Sequence, residues 1–182
     1  MNIFAIEKKE DGSIDWVESA RSQDNYRVVK MILESCQMLC TNLNHLYGEQ
    51  VSPYRSCHLN HPSTKWARES SSNFETLIEH TFALIDEYHI RFDYKTHKCE
   101  SVLEKILDLY DPSMFDSDES TDLPMCMPDE FKGDCVIESY RKFYSSKPKI
   151  RYPKNKIPKW FLKYRDSVPF DTSKEVYERL FV

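Results

Sequence analysis

Residues 25–42 read NYRVVKMILESCQMLCTN, and the spacing of their apolar side chains decides the fold class. Apolar residues recur every three or four positions, which is the period of one face of an α-helix. Asp24 or Asn25, at the start of the run, is suited to cap the first turn. The stretch therefore predicts an amphipathic helix that ends near Asn42. Its apolar face comprises Val28, Val29, Ile32, Leu33, Cys36, Leu39 and Cys40.

Outside this helix, the chain continues the helical pattern. Only three glycines occur among 182 residues, which is few for a β protein whose turns need positive φ angles. The sequence predicts an all-α fold and one compact domain over residues 1–182, with an acidic surface linker over 111–128 and a basic aromatic segment over 141–165. Further helices are predicted at 15–20, 62–70, 74–92, 100–110, 134–145 and 173–180, with a break at 70–72.

Composition restricts the classes of protein. The formal net charge is −5, which argues against a non-specific nucleic-acid coat, and no stretch is apolar enough to span a membrane. The apolar start MNIFAI is too short for a secretory signal, so we expect a cytoplasmic protein, in the host cytoplasm if a phage encodes it. We expect free thiols, no metal and no cofactor, because C-x-x-C and H-x-x-x-H motifs are missing. Whether the chain forms a homo-oligomer is left open.

The polar stretch HLNHPSTKWARES, residues 58–70, contains candidate ligand-binding residues. It resembles an H-N-H nuclease motif only in spelling, because its flanks predict a helix that begins at Pro62 and no β-hairpin. The start of that helix could face an anion, with His58, His61, Lys65 and Arg68 as phosphate contacts and Trp66 stacking on a base. Alternatively, His61 only caps the helix and Trp66 packs in the core.

Glu34 is a carboxylate within an otherwise apolar helix. Lys30 precedes it by one turn, so an ordinary surface ion pair is one interpretation. The other is an acid or base that acts in a pocket, since burial of a carboxylate is costly unless it is paired or used.

The segment from Arg141 to Arg165 contains ten Lys or Arg residues and no Asp or Glu, with aromatic residues interleaved. Phosphate neutralisation and base stacking both use this mixture, so Lys159, Trp160 and Tyr164 are candidate nucleic-acid contacts. A solvated segment whose aromatic side chains pack in the core is the alternative.

Four segments resemble the bacteriophage pyrimidine-dimer DNA glycosylase family, also called the endonuclease V family. They are MPDEFKGD (127–134), NYRVVKMILE (25–34), HPSTKW (61–66) and WFLKY (160–164). The chain also resembles, over most of residues 1–160, a set of uncharacterised phage proteins. These share a V-V-K-M-I-L-E helix, an N-H-P-x-x-x-W-x-R-E-S stretch and an M-P-D-E-(Y/F)-K segment.

The resemblance implies an all-helical domain in which the α-amine of the first residue attacks the sugar C1′ and forms a Schiff base, assisted by a glutamate. Carried over, these roles fall on Met1, which the large Asn2 would retain as the first residue, and on Glu34. An α-amine titrates nearer to pH 7 than a lysine amine, which favours it as a nucleophile. Two family arginines are replaced here by Leu33 and Gln37.

Two functional hypotheses follow. The first is a DNA glycosylase or N-glycosidase with AP-lyase-like chemistry that acts on DNA or on a nucleotide derivative, with Asn2, Arg27 and Lys30 beside Met1 and Glu34. It requires the Met1 amine and the Glu34 carboxylate to share a cleft with His61 and Arg68. The alternative is a non-catalytic phage protein that binds a nucleotide or nucleic acid and sequesters a host signalling nucleotide.

Overall fold

The helix over residues 25–42 begins at Asn25 and continues to Tyr47, beyond its predicted end near Asn42. The structure is a computed structural model that describes residues 1–153 and 155–165. The Asp24 carboxylate caps this helix (α2) by accepting a hydrogen bond from the N–H of Tyr26 at 3.1 Å. The helix ends where Gly48 adopts a left-handed φ of 74°.

The described residues are organised as helices without a β-sheet, which confirms the all-α prediction. The other α-helices are α1 (Trp16–Arg21), α3 (Pro62–Glu69), α4 (Ser71–Arg91), α5 (Glu100–Leu109) and α6 (Val136–Ser145). Short 3-10 turns occur at Pro112–Met114, Asp129–Phe131 and Phe161–Lys163, and an isolated bridge joins Lys8 to Ile14. The helix predicted at 173–180 lies outside the described residues, and the single domain over residues 1–182 stays a prediction.

The two longest helices, α2 and α4, pack against each other, and α3 packs against both. Helix α1 lies on α4, and α5 lies on α2. The predicted break between α3 and α4 is confirmed at Ser70, whose hydroxyl caps α4 by accepting the N–H of Asn73 at 3.1 Å. In the part of the chain described by the structure, none of the helices has the length and apolarity needed to cross a membrane.

The N-terminal segment is part of the hydrophobic core. Residues 3–6 are buried, and the N–H groups of Ile6 and Glu7 donate to the hydroxyl of Ser19 at 3.1 and 2.9 Å. The carbonyl of Ile6 accepts a hydrogen bond from Nε of Arg141 at 2.8 Å, which ties the segment to α6. These bonds hold Met1 beside α2.

The acidic segment 111–128 is largely exposed, and hydrogen bonds attach it to α3 and α4. The carbonyl of Thr121 accepts the indole N–H of Trp66 at 3.0 Å, and the N–H of Thr121 donates to the amide oxygen of Asn73 at 3.1 Å. The N–H of Ser71 donates to the carbonyl of Ser117 at 2.9 Å. The segment therefore covers one side of the helical core.

All six cysteines are free in the structure. Cys36 and Cys40 are fully buried on α2, where they pack as small apolar side chains.

Candidate functional site

A cavity of about 370 Å³ lies between the N-terminal segment, α2 and the chain that follows α6. It contains both residues predicted to be catalytic, Met1 and Glu34, together with the predicted contacts Asn2, Arg27 and Lys30. The remaining lining residues are Phe4, Tyr26, Met31, Lys147, Pro148 and Lys149.

The α-amine of Met1 is held in place by its own side chain. That side chain is 4% exposed and packs against the hydrophobic core, and the next residues, Ile3 and Phe4, are buried. The nitrogen lies 3.9 Å from Oε2 of Glu34. An amine and a carboxylate at this separation form an ion pair and can exchange a proton after a small movement.

Glu34 forms the ion pair with Lys30 that the sequence suggests, and its carboxylate also lines the cavity. Its side chain is 14% exposed, and Oε1 forms an ion pair with Nζ of Lys30 at 2.8 Å, one turn earlier on α2. Lys30 is half exposed, so this pair lies at the mouth of the cavity. The second oxygen of Glu34 faces the Met1 amine, so the carboxylate is both paired and available to a cavity ligand.

Arg27 forms a buried part of the cavity wall and has its own counter-ion. Its Nη1 donates to Oδ2 of Asp24 at 2.8 Å, and its Nη2 donates to the carbonyl of Pro148 at 3.3 Å. The hydroxyl of Tyr144 donates to the same Asp24 oxygen at 2.5 Å. Burial lowers the pKa of Arg27, but the attraction of the Asp24 carboxylate and of other neighbouring groups outweighs burial, so the pKa is raised overall.

Lys147 and Lys149 bring two further cations to the cavity. Nζ of Lys147 lies 3.5 Å from the centroid of the Phe143 ring. Burial lowers the pKa of Lys147, and the neighbouring charges of Arg27 and Lys30 lower it further. Lys149 is exposed, so the cavity has a cationic rim.

Asn2 leaves an unmatched polar atom in the cavity wall. Its amide oxygen is buried and accepts no hydrogen bond within the described residues. A buried acceptor without a donor is costly, so this atom would gain from a donor group on a ligand or a water.

His61 does not line the cavity. Its Nδ1 accepts the N–H of Ser63 at 3.2 Å, so the ring caps α3. Burial lowers the pKa of His61, and the Met1 ammonium and His58 lower it further, while Glu34 opposes them. His61 is therefore within electrostatic reach of the candidate site.

The other candidates from residues 58–70 lie elsewhere. His58 and Lys65 are exposed. Arg68 donates to the carbonyl of Leu59 at 2.7 Å, and burial lowers the pKa of Arg68. Trp66 is 2% exposed, packs against Trp16 and donates its indole N–H to Thr121, so its ring packs in the core and has no free face for a base.

The candidates near the end of the described chain are also outside the cavity. Lys159 is exposed, whereas Trp160 is 6% exposed and donates its indole N–H to Oε1 of Glu7 at 2.7 Å. The hydroxyl of Tyr164 donates to Glu138. Burial of Trp160 removes it as a stacking surface and favours the packing interpretation of its segment.

Comparisons of the chain with known protein families, with curated proteins and with solved structures found no match. The likeness to the pyrimidine-dimer glycosylases therefore rests on the four quoted segments, and the activity that it implies stays a prediction.

The structure thus places Met1 and Glu34 in one cavity, but His61, which caps α3, does not line it. Arg68, which binds the carbonyl of Leu59, does not line it either, so the expected cleft of four residues is not formed. The cations that the sequence reasoning did not single out are Lys147 and Lys149. Both lie in the basic segment 141–165, which was the only signal for them in the sequence. Within the described residues, no group of His, Cys, Asp and Glu side chains could hold a metal ion.

Proposed function

We propose that the cavity is the active site of an N-glycosidase that acts on a nucleotide or on DNA, with the Met1 amine as nucleophile and Glu34 as proton acceptor. The observation that carries this proposal is the 3.9 Å separation of Met1 N and Glu34 Oε2 in a cationic cavity. The proposal requires a chain that begins with a free Met1 amine.

In the first step, Glu34 accepts a proton from the Met1 ammonium, and the free amine attacks C1′ of the sugar. The bond between C1′ and the base nitrogen breaks, and the base leaves with that electron pair and takes up a proton. The nitrogen on C1′ is now a secondary ammonium and loses a proton to water. Its lone pair then forms the C1′=N double bond while the bond from C1′ to the ring oxygen breaks. This oxygen takes up a proton, and the product is an open-chain Schiff base on Met1.

Two routes can release the product. Water can add to the C1′=N bond, which returns the amine and leaves the sugar as an aldehyde. Where the sugar carries a 3′-phosphate, the Glu34 carboxylate can instead remove a proton from C2′. The C3′–O bond then breaks and the phosphate leaves with the electron pair. Lys30 supports both routes because its ion pair fixes the orientation of the carboxylate.

A second candidate function is binding without chemistry. Arg27, Lys30, Lys147 and Lys149 line the cavity together with a single carboxylate, Glu34, among the described residues. This excess of positive charge suits a phosphorylated ligand whether or not the Met1 amine reacts. A protein that sequesters a signalling nucleotide would need no more than this.

Reductive trapping tests the proposal. The purified protein, shown by intact mass to begin with Met1, is incubated with a single-stranded oligonucleotide that contains one abasic site and, in a parallel reaction, with 2-deoxyribose 5-phosphate, the abasic form of a nucleotide. Borohydride is then added to both reactions. We expect a covalent adduct that peptide mapping assigns to Met1, because borohydride reduces the Schiff base to a stable amine. An adduct on a lysine, or no adduct, would refute the role of Met1.

Glu34→Gln separates chemistry from folding. We expect adduct formation to slow by about 100-fold, because a positioned proton acceptor contributes at least this factor. Glu49→Gln, the same change on an exposed residue, should react like the wild type. If Glu34→Gln binds nucleotides normally and the wild-type protein never forms an adduct, the binding function replaces the catalytic one.

A further inference from the structure

The chain that follows α6 forms a fixed loop over one side of the cavity. The N–H of Lys147 donates to the carbonyl of Tyr144 at 3.0 Å, and the carbonyl of Lys147 accepts a hydrogen bond from Arg165 at 3.3 Å. The carbonyl of Pro148 accepts a hydrogen bond from Arg27, and Ile150 is fully buried. Hydrogen bonds before Lys149 and the burial of Ile150 after it therefore fix the backbone that carries the two lysines.

Lys149 adopts a backbone conformation that is unfavourable for its residue type. Its φ angle is 60°, in the left-handed region that glycine adopts most readily. A lysine at this position keeps its ammonium group beside the cavity at a cost in conformational energy. Such strain is common where a side chain has a role in ligand binding.

The positive charges on the cavity wall are not fully compensated. Arg27 pairs with Asp24, and Lys30 pairs with Glu34. Within residues 1–153 and 155–165, neither Lys147 nor Lys149 takes part in an ion pair. A bound anion would supply the missing counter-charge, and a phosphate dianion matches two ammonium groups.

We infer that Lys147 and Lys149 form a phosphate subsite of the cavity and that this subsite takes the phosphate monoester of a free nucleotide. The assignment of a nucleotide rests on the proposed function, whereas the phosphate contact rests on the two lysines alone.

The size of the cavity favours a free nucleotide over duplex DNA. A volume of about 370 Å³ lies in the range of pockets for small ligands. Duplex binding uses many phosphate contacts along an extended basic surface, which is uncommon for a chain of net charge −5.

Titration calorimetry with the full chain tests the subsite. The probes are the 5′- and 3′-monophosphates of the four deoxynucleosides and the corresponding nucleosides. We expect at least one monophosphate to bind about tenfold or more tightly than its nucleoside, because a charged hydrogen bond contributes at least this factor. Lys147→Gln and Lys149→Gln should each remove most of that advantage.

Two further variants separate ligand binding from folding. Lys142→Gln makes the same change of charge at an exposed residue of α6 and should leave affinity unchanged. Lys149→Gly relieves the unfavourable φ angle, so it should weaken phosphate binding without lowering the melting temperature. If Lys142→Gln weakens binding as much as Lys149→Gln, or if monophosphates bind no better than nucleosides, the subsite is overturned.

The two proposals fail separately. If borohydride traps Met1 on abasic DNA while no monophosphate binds, the phosphate subsite is wrong and the glycosidase remains. If monophosphates bind through both lysines while no adduct forms, the phosphate subsite is supported and the glycosidase proposal is refuted. A duplex that binds more tightly than every mononucleotide, through the same lysines, would assign the subsite to DNA and overturn the free nucleotide.

Discussion

The imidazole of His80 on α4 is a buried titratable group outside the candidate site. It is 1% exposed, and its Nδ1 lies 2.8 Å from the carbonyl of Trp16. Its Nε2 lies 3.4 Å from the amide nitrogen of Gln23, which suits an unprotonated ring nitrogen as acceptor. Burial lowers the pKa of His80 from 6.5 to about 4, although the Trp16 carbonyl opposes this change.

This pKa predicts how stability depends on pH. Between about pH 6.5 and about pH 4 the unfolded chain binds a proton at His80 that the folded chain does not. The contribution of neutral His80 to the free energy of unfolding is therefore complete above the unfolded pKa. As the pH falls towards the folded pKa, about 3 kcal/mol of this contribution is lost. Urea unfolding across this pH range should show this loss of stability in the wild type. In His80→Gln, the part of the loss that arises from His80 should be absent. An identical pH dependence in both proteins would contradict the assignment.

Asp24 on the N-terminal end of α2 is a buried carboxylate with a buried counter-ion. It is fully buried and pairs with Arg27, which lines the cavity. Asp24→Asn keeps the size of the side chain and its capping ability but leaves Arg27 without a counter-charge. We expect a loss of about 3 kcal/mol in the free energy of unfolding, since removing one partner of a buried ion pair is costly.

The matched control for this prediction is Asp15→Asn. Asp15 also caps a helix, α1, by accepting the N–H of Glu18 at 2.9 Å. No ion pair within the described residues involves it, and Asn caps helices as well as Asp. Urea unfolding should show a change below about 0.5 kcal/mol. Equal losses at both positions would mean that the Arg27 pair contributes nothing beyond a helix cap.

Among the secondary-structure elements, α2 ends at a glycine that its geometry requires. Gly48 has a φ of 74°, and an added Cβ would meet no atom within 4 Å. The cost of Gly48→Ala is therefore backbone strain, about 1 kcal/mol in urea unfolding. Gly133→Ala is the control, because that Cβ would meet only the Ser139 hydroxyl at an ordinary 3.8 Å. A loss at Gly133 as large as that at Gly48 would contradict this explanation.

Periodicity predicted the helices well because each has an apolar face that the core buries. It missed the last turns of α2 because their polar residues looked like a loop. Asn44 is such a residue, and its amide oxygen accepts the N–H groups of Val51 and Ser52 at 3.0 and 2.9 Å. These bonds form only when the following chain folds back onto the helix, so a helical period cannot show them.

At the scale of the whole molecule, the sequence pointed to the two residues at the centre of the candidate site, Met1 and Glu34, but not to the lysines that complete its wall. Glu34 was identified by its position on an apolar helix and Met1 by the family resemblance, and the structure brings them together. Lys147 and Lys149 reach the cavity only because the chain after α6 returns to α2. Trp66 and Trp160 looked like stacking residues because composition does not distinguish an exposed ring from a buried one.

The carboxylate of Glu7 joins several parts of the fold. Its Oε1 accepts hydrogen bonds from the Ser22 hydroxyl at 2.6 Å and from the Trp160 indole at 2.7 Å. Its Oε2 pairs with Arg141 at 3.2 Å. Glu7 therefore connects the N-terminal segment, the end of α1, α6 and the last described residues, and it secures the chain that carries Met1.

Glu7→Gln tests this connection. The variant should lose about 2 kcal/mol in urea unfolding, because the amide keeps the shape of the side chain but not its charge beside Arg141. Trapping at Met1 should also slow, since the amine is then held less firmly near Glu34. Glu10→Gln, an exposed change in the next turn of chain, should alter neither property. If Glu7→Gln loses stability while Met1 forms its adduct at the wild-type rate, the position of the amine does not depend on this junction. It is then set by the burial of residues 3–6 and by their hydrogen bonds to Ser19 and Arg141.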